Sequence, residues 1–418
     1  MESNGNHVQG VPYLSQGHIN PMFQFSKKLI SKGLKITLAI IIHVAKTMET
    51  QIDGPVQIEM ISDGHDEGGM MQASSVSTNL EWFKVVGSKS LKQILQTQRS
   101  LGNPVRYVVY DLFLPWALDV TKQFNLLGAA FYTQSCVFHS IYYNVQNGVL
   151  KTTFSADQVI SVLGLPPLDV SNLPSFTSHL GPDPSLLGAL LGPYCNTNKA
   201  NWVLFNIFDK LEVEVVNWTT KAWKVMAIRP TIPSMYLDKR IDVNFGFDMF
   251  VSKTASCLSW LNSKKNHYVI YVSFCSISVV KQEQTEEIAW ALLEFNFNFL
   301  WVCTQLEVLS HPAVRCFATH CGWNSVLETL NIGVPMIGFP QWIDQPTNAK
   351  CIKALWKMGI RPKVDETKIS GKRQIVSCVR EIMKEDKWDA MKKNTISKGG
   401  RYDKNIDEFV AKVKEFVA

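Results

Sequence analysis

His18 and Asp111 are the first pair of side chains in this sequence that could do chemistry together. Ser15-Gln-Gly-His18 follows an apolar stretch and opens a helix, with Pro21 near its first turn and Gly33 as its stop. An imidazole, with an ordinary pKa of about 6.5, suits proton abstraction near neutral pH. Asp111 ends the apolar run over 105–110. If that run lies beside the first strand, the carboxylate orients the His18 ring and stabilises its charged form. A structural histidine at a helix start and an aspartate in a turn would give the same pattern.

A second candidate is Thr319-His-Cys-Gly-Trp-Asn-Ser325, between a strand ending near Thr319 and the helix that follows. Small and capping residues at a helix start leave backbone N–H groups facing outward, where the macrodipole favours a phosphate. His320 can add a hydrogen bond. Glu328, four residues past Asn324 on one helical face, can accept from ribose hydroxyls. Helix capping alone by His320, Asn324 and Ser325 would account for the same spacing. His311, Cys316, His320 and Cys321 match no zinc-ligand spacing, so no metal site is expected. No GxGxxG follows a strand and no GxxxxGK[ST] occurs, which argues against dinucleotide oxidoreductases and P-loop nucleotidases.

The elements that must position these residues read as α/β, because short apolar runs alternate with helical periodicities. The first half predicts strands over 7–13, 34–42, 56–61, 105–110, 127–132 and 202–206. A long helix over 77–99 is broken at Gly87. Residues 163–184, rich in Pro, Gly and Ser, read as a long surface connection. After a proline-bearing stretch from Arg229, a second series follows, with strands over 267–274, 297–302, 315–319 and 335–339. Its helices fall over 282–294, 305–311 and 323–330, and a last helix spans 403–417. The predicted domains are 1–230, a linker 231–255, a second domain 256–395 and a terminal helix in 396–418. Two such domains imply a cleft faced by the C-terminal ends of their strands.

The 418 residues are 46% hydrophobic and 19% charged, which excludes wholesale disorder. The 42 Lys plus Arg are interspersed with 36 Asp plus Glu, so nucleic acid is not expected as a partner. Neither a secretory nor a transit signal is visible, and the apolar runs are far below the ~20 residues of a membrane helix. Nine cysteines without a CxxC suit buried thiols in a reducing compartment. A cytoplasmic location follows as the expectation.

The stretch VCTQLEVLSHPAVRCFATHCGWNSVLETLNIGVPMIGFPQWIDQ, from Val302 to Gln345, resembles the signature of plant UDP-glycosyltransferases. PYLSQGHINPMFQFSKKL and YDLFLPWALDV resemble the same family's acceptor domain, and PTIPSMYLDKR its linker. The similarity is closest to the subgroup that glucosylates small carboxylic acids and phenols. It implies the GT-B fold, two Rossmann-like domains with the last helix crossing back to the first. It also implies a monomer that uses UDP-glucose as donor, a small-molecule acceptor, and no metal or further cofactor. By position, His18 resembles the catalytic base and Asp111 its partner. Gln305 and Glu328 match the ribose-holding residues, and His320, Asn324 and Ser325, with Gly322 in the same turn, those at the pyrophosphate. Trp323, Asp344 and Gln345 match the glucose-binding positions, and Ser276 a phosphate-contacting serine.

Some positions depart from the family pattern. A segment of a few dozen residues that carries a further parallel strand is missing before Gln305, so the second domain is expected to lack one strand and to close up or leave a gap. Val302 stands where the family has a Trp that stacks on uracil, and Trp301, one residue away, is expected to face the other side of its strand. Cys275 and Arg315 replace glycines. In the first strand, Gln9 and Gly10 stand where the family has apolar residues, which should weaken a central strand. The resemblance implies inverting glucosyl transfer. The alternative is a catalytically impaired homologue with weakened donor binding.

Overall fold

The computed structural model describes residues 6–47, 55–155, 157–162, 164–177, 184–208, 210–228, 230–232, 254–274, 280–295, 297–302, 306–398 and 404–415. The chain forms two compact units, one from Met1–Thr153, Phe176–Val251 and Arg401–Ala418, the other from Phe154–Ser175 and Ser252–Gly400. One boundary differs from the sequence reading. Residues 154–175 join the second unit instead of the first, and most of the expected linker lies outside the described residues.

In the first unit the strands are β1 (His7–Val11), β2 (Lys35–Ile41), β3 (Gln57–Ile61), β4 (Tyr107–Asp111), β5 (Leu127–Tyr132), β8 (Trp202–Asn206) and β9 (Val225–Ile228). They form one seven-stranded sheet in the order β3-β2-β1-β4-β5-β8-β9, parallel at every pairing. Near-continuous apolar strands are what a sheet covered on both faces requires. The helices include α1 (Gln16–Ser31), α2 (Ile42–Thr47), α3 (Val76–Ser100), α4 (Trp116–Gln123), α5 (Cys136–Gln146), α6 (Pro184–Leu191) and α7 (Val213–Thr219). Strand order reverses between β1 and β4, the switch point outside which α/β proteins bind ligands.

One expectation for this unit needs correction, and two features need an account. Helix α3 runs unbroken through Gly87, where an added Cβ would lie 2.6 Å from Phe83 and 2.9 Å from Trp116; the glycine admits close packing and does not end the helix. Strand β1 is central and paired on both sides despite Gln9 and Gly10. A Cβ on Gly10 would meet Leu38 Cδ1 at 2.6 Å, so the glycine lets α1 and β2 close over the strand. Strand β9 escaped the sequence reading because four residues are too few to show a period.

The terminal helix, α15 (Lys404–Glu415), packs in the first unit, with Phe409 against Phe25, Tyr107 and Trp202. Asn405 donates to the Ala227 carbonyl at 2.7 Å, and Tyr107 Oη donates to the Lys412 carbonyl at 3.2 Å.

In the second unit, after the antiparallel pair β6 (Val159–Ile160) and β7 (Leu168–Asp169), come α8 (Thr254–Asn262), β10 (Val269–Ser273), α9 (Gln282–Leu293) and β11 (Asn298–Trp301). Then follow α10 (Leu306–Leu309), β12 (Val314–Thr319), α11 (Trp323–Ile332), β13 (Met336–Gly338), α12 (Gln345–Lys350), β14 (Gly359–Ile360), α13 (Lys372–Ile382) and α14 (Glu385–Lys398). Strand order is β11-β10-β12-β13-β14, again parallel. The expected interior gap is absent among the described residues: β10 pairs directly with β12, and β11 is an edge strand. Trp301 packs edge-on against Phe274 and on the core around Ile288 and Ile337.

Arg315 is accommodated by α14. Its guanidinium donates to Glu385 Oε2 at 3.0 Å and to the Met383 carbonyl at 2.9 Å, and lies 4.6 Å from the centre of the Trp388 ring. The Trp388 indole N–H donates back to the Arg315 carbonyl at 2.8 Å.

Gln9 is fully buried in β1, and its Oε1 has no hydrogen-bond partner among the described residues. Gln9→Met is therefore expected to stabilise the first unit by about 1 kcal/mol, seen as a higher midpoint in denaturant unfolding; an unchanged or lower midpoint would refute the assignment.

Candidate functional sites at the two switch points

Register fixes the first site. Val11 of β1 pairs with Tyr110 of β4, so both strands end at the same edge of the sheet. There β1 leads into α1, with His18 in the helix's first turn, and β4 ends at Asp111. His18 Nδ1 lies 2.7 Å from Asp111 Oδ2 and 3.0 Å from Thr133 Oγ1. Asp111 is wholly buried, and its other oxygen accepts from the Phe113 N–H at 3.0 Å. A carboxylate in that position makes Nδ1 the protonated ring nitrogen and leaves Nε2 with a lone pair. The Gln134 amide nitrogen is 3.4 Å from Nε2.

Tyr13 and Phe113 flank the imidazole, with ring centres 5.4 and 5.5 Å away. Burial, reinforced by the Asp111 charge, raises the Tyr13 phenol well above its ordinary value, so it stays protonated and is no rival base.

Tyr13, Phe113, Thr133 and Gln134 were not singled out from the sequence. All four lie just past a strand's C-terminal end, which was the available signal. Beyond them α5 is held by buried Glu212, whose two carboxylate oxygens accept from the Cys136 and Val137 N–H groups at 2.8 and 3.2 Å. Burial outweighs these bonds and pushes the Glu212 carboxyl up to about 7.

The second site lies where strand order reverses in the other sheet, between β10 and β12. After Thr319 the chain turns through His320, Cys321 and Gly322 into α11. Cys321 has φ +64°, a conformation that L residues seldom adopt. The N-cap is Gly322, which has no side chain to offer. Asn324 and Ser325 lie inside the first turn of α11, so side-chain capping does not explain them. His320 is buried, its Nδ1 has no partner among the described residues, and burial lowers its pKa to about 4, so it is neutral at pH 7. Glu328, half-buried one turn on, has no hydrogen-bond partner among the described residues, and burial pushes it up to about 7. The Trp323 ring is buried, 5.9 Å from Trp356, and packs in the unit's core.

Asp344 and Gln345 begin α12 close to this turn. Asn348 Nδ2 bridges Asp344 Oδ2, at 2.7 Å, and the Cys321 carbonyl, at 3.0 Å. Gln345 Oε1 accepts from the N–H groups of Gln341 and Trp342 at 2.8 and 3.2 Å, which assigns its amide and leaves the NH2 for a ligand. Ser276 and Gln305, like Cys275, lie outside the described residues. No group of three His, Cys, Asp or Glu side chains able to hold a metal occurs among the described residues.

Two parallel α/β units, one with a His–Asp pair and one with a glycine-capped helix start at its switch point, are the architecture of GT-B glycosyltransferases. Comparison with known proteins agrees. Residues 229–411 match the family model "UDP-glucoronosyl and UDP-glucosyl transferase". UDP-glycosyltransferase 74F2 of Arabidopsis thaliana is 40% identical over 457 residues, covering 99% of this chain and 100% of that protein. Flavonol 7-O-beta-glucosyltransferase UGT74F1 of the same plant is 38% identical, with the same coverage. The crystal structure of Os79 from O. sativa in complex with UDP superposes with a TM-score of 0.90 at 31% identity, over 97% of this chain and all of that one. The chain belongs to the UDP-glycosyltransferase family. Nothing in these matches favours an impaired homologue.

A Cβ on Gly322 would sit 2.4 Å from His320 Nε2. Gly322→Ala must therefore displace the ring, and is expected to weaken UDP binding about tenfold by calorimetry, with little change in thermal midpoint. Unchanged affinity would mean that His320 does not touch the nucleotide.

Proposed function

We propose that the protein transfers glucose from UDP-glucose, with inversion, to a hydroxyl or carboxyl group of a small plant metabolite. The observation that carries this reading is the 2.7 Å contact from His18 Nδ1 to buried Asp111, which leaves Nε2 ready to accept a proton. The acceptor O–H gives its proton to Nε2 and the oxygen attacks the anomeric carbon. The bond from that carbon to the diphosphate oxygen breaks, and its electron pair leaves with UDP. Asp111 then faces an imidazolium, which its charge stabilises.

On the donor side, the N-terminal turn of α11 and the neutral His320 ring supply hydrogen bonds and dipole for the charge developing on the diphosphate. Ser276, Asn324 and Ser325 complete this set in the reading. Glu328 and Gln305 take the ribose hydroxyls, and Asp344 and Gln345 those of glucose. No metal or further cofactor enters the scheme, and we place the enzyme in the cytoplasm as a monomer. Relatives include one named for glucosylating a flavonol, which supports a small hydroxylated acceptor here.

A carboxylic acid is already ionised at neutral pH, so for such acceptors His18 positions more than it activates. His18→Ala is accordingly expected to lower kcat on a phenol by about 100-fold or more, and less on a carboxylic acid, with the Kd for UDP unchanged. Full turnover of phenols by the variant would remove the proposed base. No calorimetric binding of the intact protein to millimolar UDP-glucose would refute the transferase reading itself.

A further inference from the structure

Residues 163–184 read as a surface connection, yet within 168–175 Leu168, Asn172 and Leu173 are buried. In the second unit this segment is stitched to the elements around Asp344 and Gln345. The Thr347 hydroxyl, on α12, donates to the Asn172 carbonyl at 2.8 Å. Arg361, just past β14, donates from Nη1 to Asn172 Oδ1 at 2.6 Å. Asn172 Nδ2 in turn donates to Asp169 Oδ2 at 2.9 Å, and that carboxylate lies 3.6 Å from Lys350 Nζ at the end of α12.

The remaining tie is to the backbone beside the sugar-binding pair. Ser175 N–H donates to the Ile343 carbonyl at 2.9 Å. Ile343 has φ +56°. For a β-branched residue that is a strained conformation, one that persists only where its surroundings hold it. Asp344 is the next residue. The segment therefore grips the chain immediately before Asp344, and again on α12 through Thr347 and Lys350.

We propose that residues 169–175, through Asn172 and Ser175, form a positioning element for donor-sugar recognition, holding the strained turn at Ile343 so that Asp344 and Gln345 meet glucose. This rests on the reading above that Asp344 and Gln345 touch the sugar. It separates sugar recognition from nucleotide recognition, because nothing in the segment hydrogen-bonds to His320, Gly322 or Glu328 in the described contacts. The residues concerned act through Asp344 and Gln345 and do not touch the donor themselves.

The test compares Thr347→Val, which keeps the shape and removes the hydroxyl, with Thr347→Ser, which restores it, and with Asn172→Ala. Thr347→Val and Asn172→Ala are each expected to raise the KM for UDP-glucose about 3- to 10-fold and to narrow the preference for UDP-glucose over UDP-galactose. The Kd for UDP, which has no sugar, and the KM for the acceptor should stay within about twofold, and Thr347→Ser should recover the original values. Equal weakening of UDP and UDP-glucose, or no change with Thr347→Val, overturns the proposal even if Asn172→Ala fails to fold. Gln345→Ala run in parallel separates the two levels. If it raises the KM for UDP-glucose while Thr347→Val does not, only the positioning role falls; if Gln345→Ala changes nothing, the sugar-contact reading falls and the positioning role with it.

Discussion

The pairing of β1 with β4 in parallel, Val11 opposite Tyr110, is the constraint on which the first site depends. A sheet covered on both faces withdraws whatever stands at its strand ends from water, and Asp111 is withdrawn completely. A buried carboxylate without partners is strongly destabilising, so the fold has to supply them. It does so with one backbone N–H, from Phe113, and one ring N–H, from His18. The requirement that Asp111 be satisfied thus also orients the imidazole and selects its tautomer. Geometry useful for catalysis is here the same geometry that keeps the charge tolerable.

The second unit solves a different problem by the same topology. Its switch point presents a turn with Cys321 at positive φ and a glycine cap, and the glycine lets His320 close against the backbone. Burial keeps that ring neutral, which is the state that can donate one hydrogen bond to an anion without carrying a buried charge of its own. His320 Nδ1 is left without a partner among the described residues, and buried polar groups of that kind are uncommon in folded proteins.

Most of the architecture was legible because the strands are long enough to show apolar runs; 127–132 and 202–206 match β5 and β8 residue for residue. What escaped had a physical reason in each case. Strands β9 and β14, of four and two residues, carry no period. Gly87 reads as a breaker from propensity alone, whereas Phe83 and Trp116 require it to be small. The site residues divide in the same way. His18 and Asp111 could be named from their places after strands and from a family resemblance, but Thr133 and Gln134 come to His18 through the β4–β5 pairing, which no local pattern records. Arg315, which departs from the family's glycine, is held by Glu385, Met383 and Trp388, about seventy residues further along the chain.

The alignment with the Arabidopsis relative runs over 457 residues although this chain has 418, so the relative carries segments that are missing here. The family resemblance places one such segment before Gln305, just after β11, and the sheet has room for a deletion at that point. After β11 the chain is at the sheet's edge, where all four strand residues are only half-buried, whereas β10 and β12 are buried throughout. Removing chain beyond an edge strand leaves the interior ladder intact, and removing it between β10 and β12 would not. The same unit borrows residues 154–175 from the sequence of the first half and buries Asn172 among Thr347 and Arg361. A segment that reads as a connection is thereby part of the scaffold beneath Asp344 and Gln345. The Ser175 N–H meets the strained backbone at Ile343, so a stretch that precedes α8 in the sequence helps to hold the turn before Asp344.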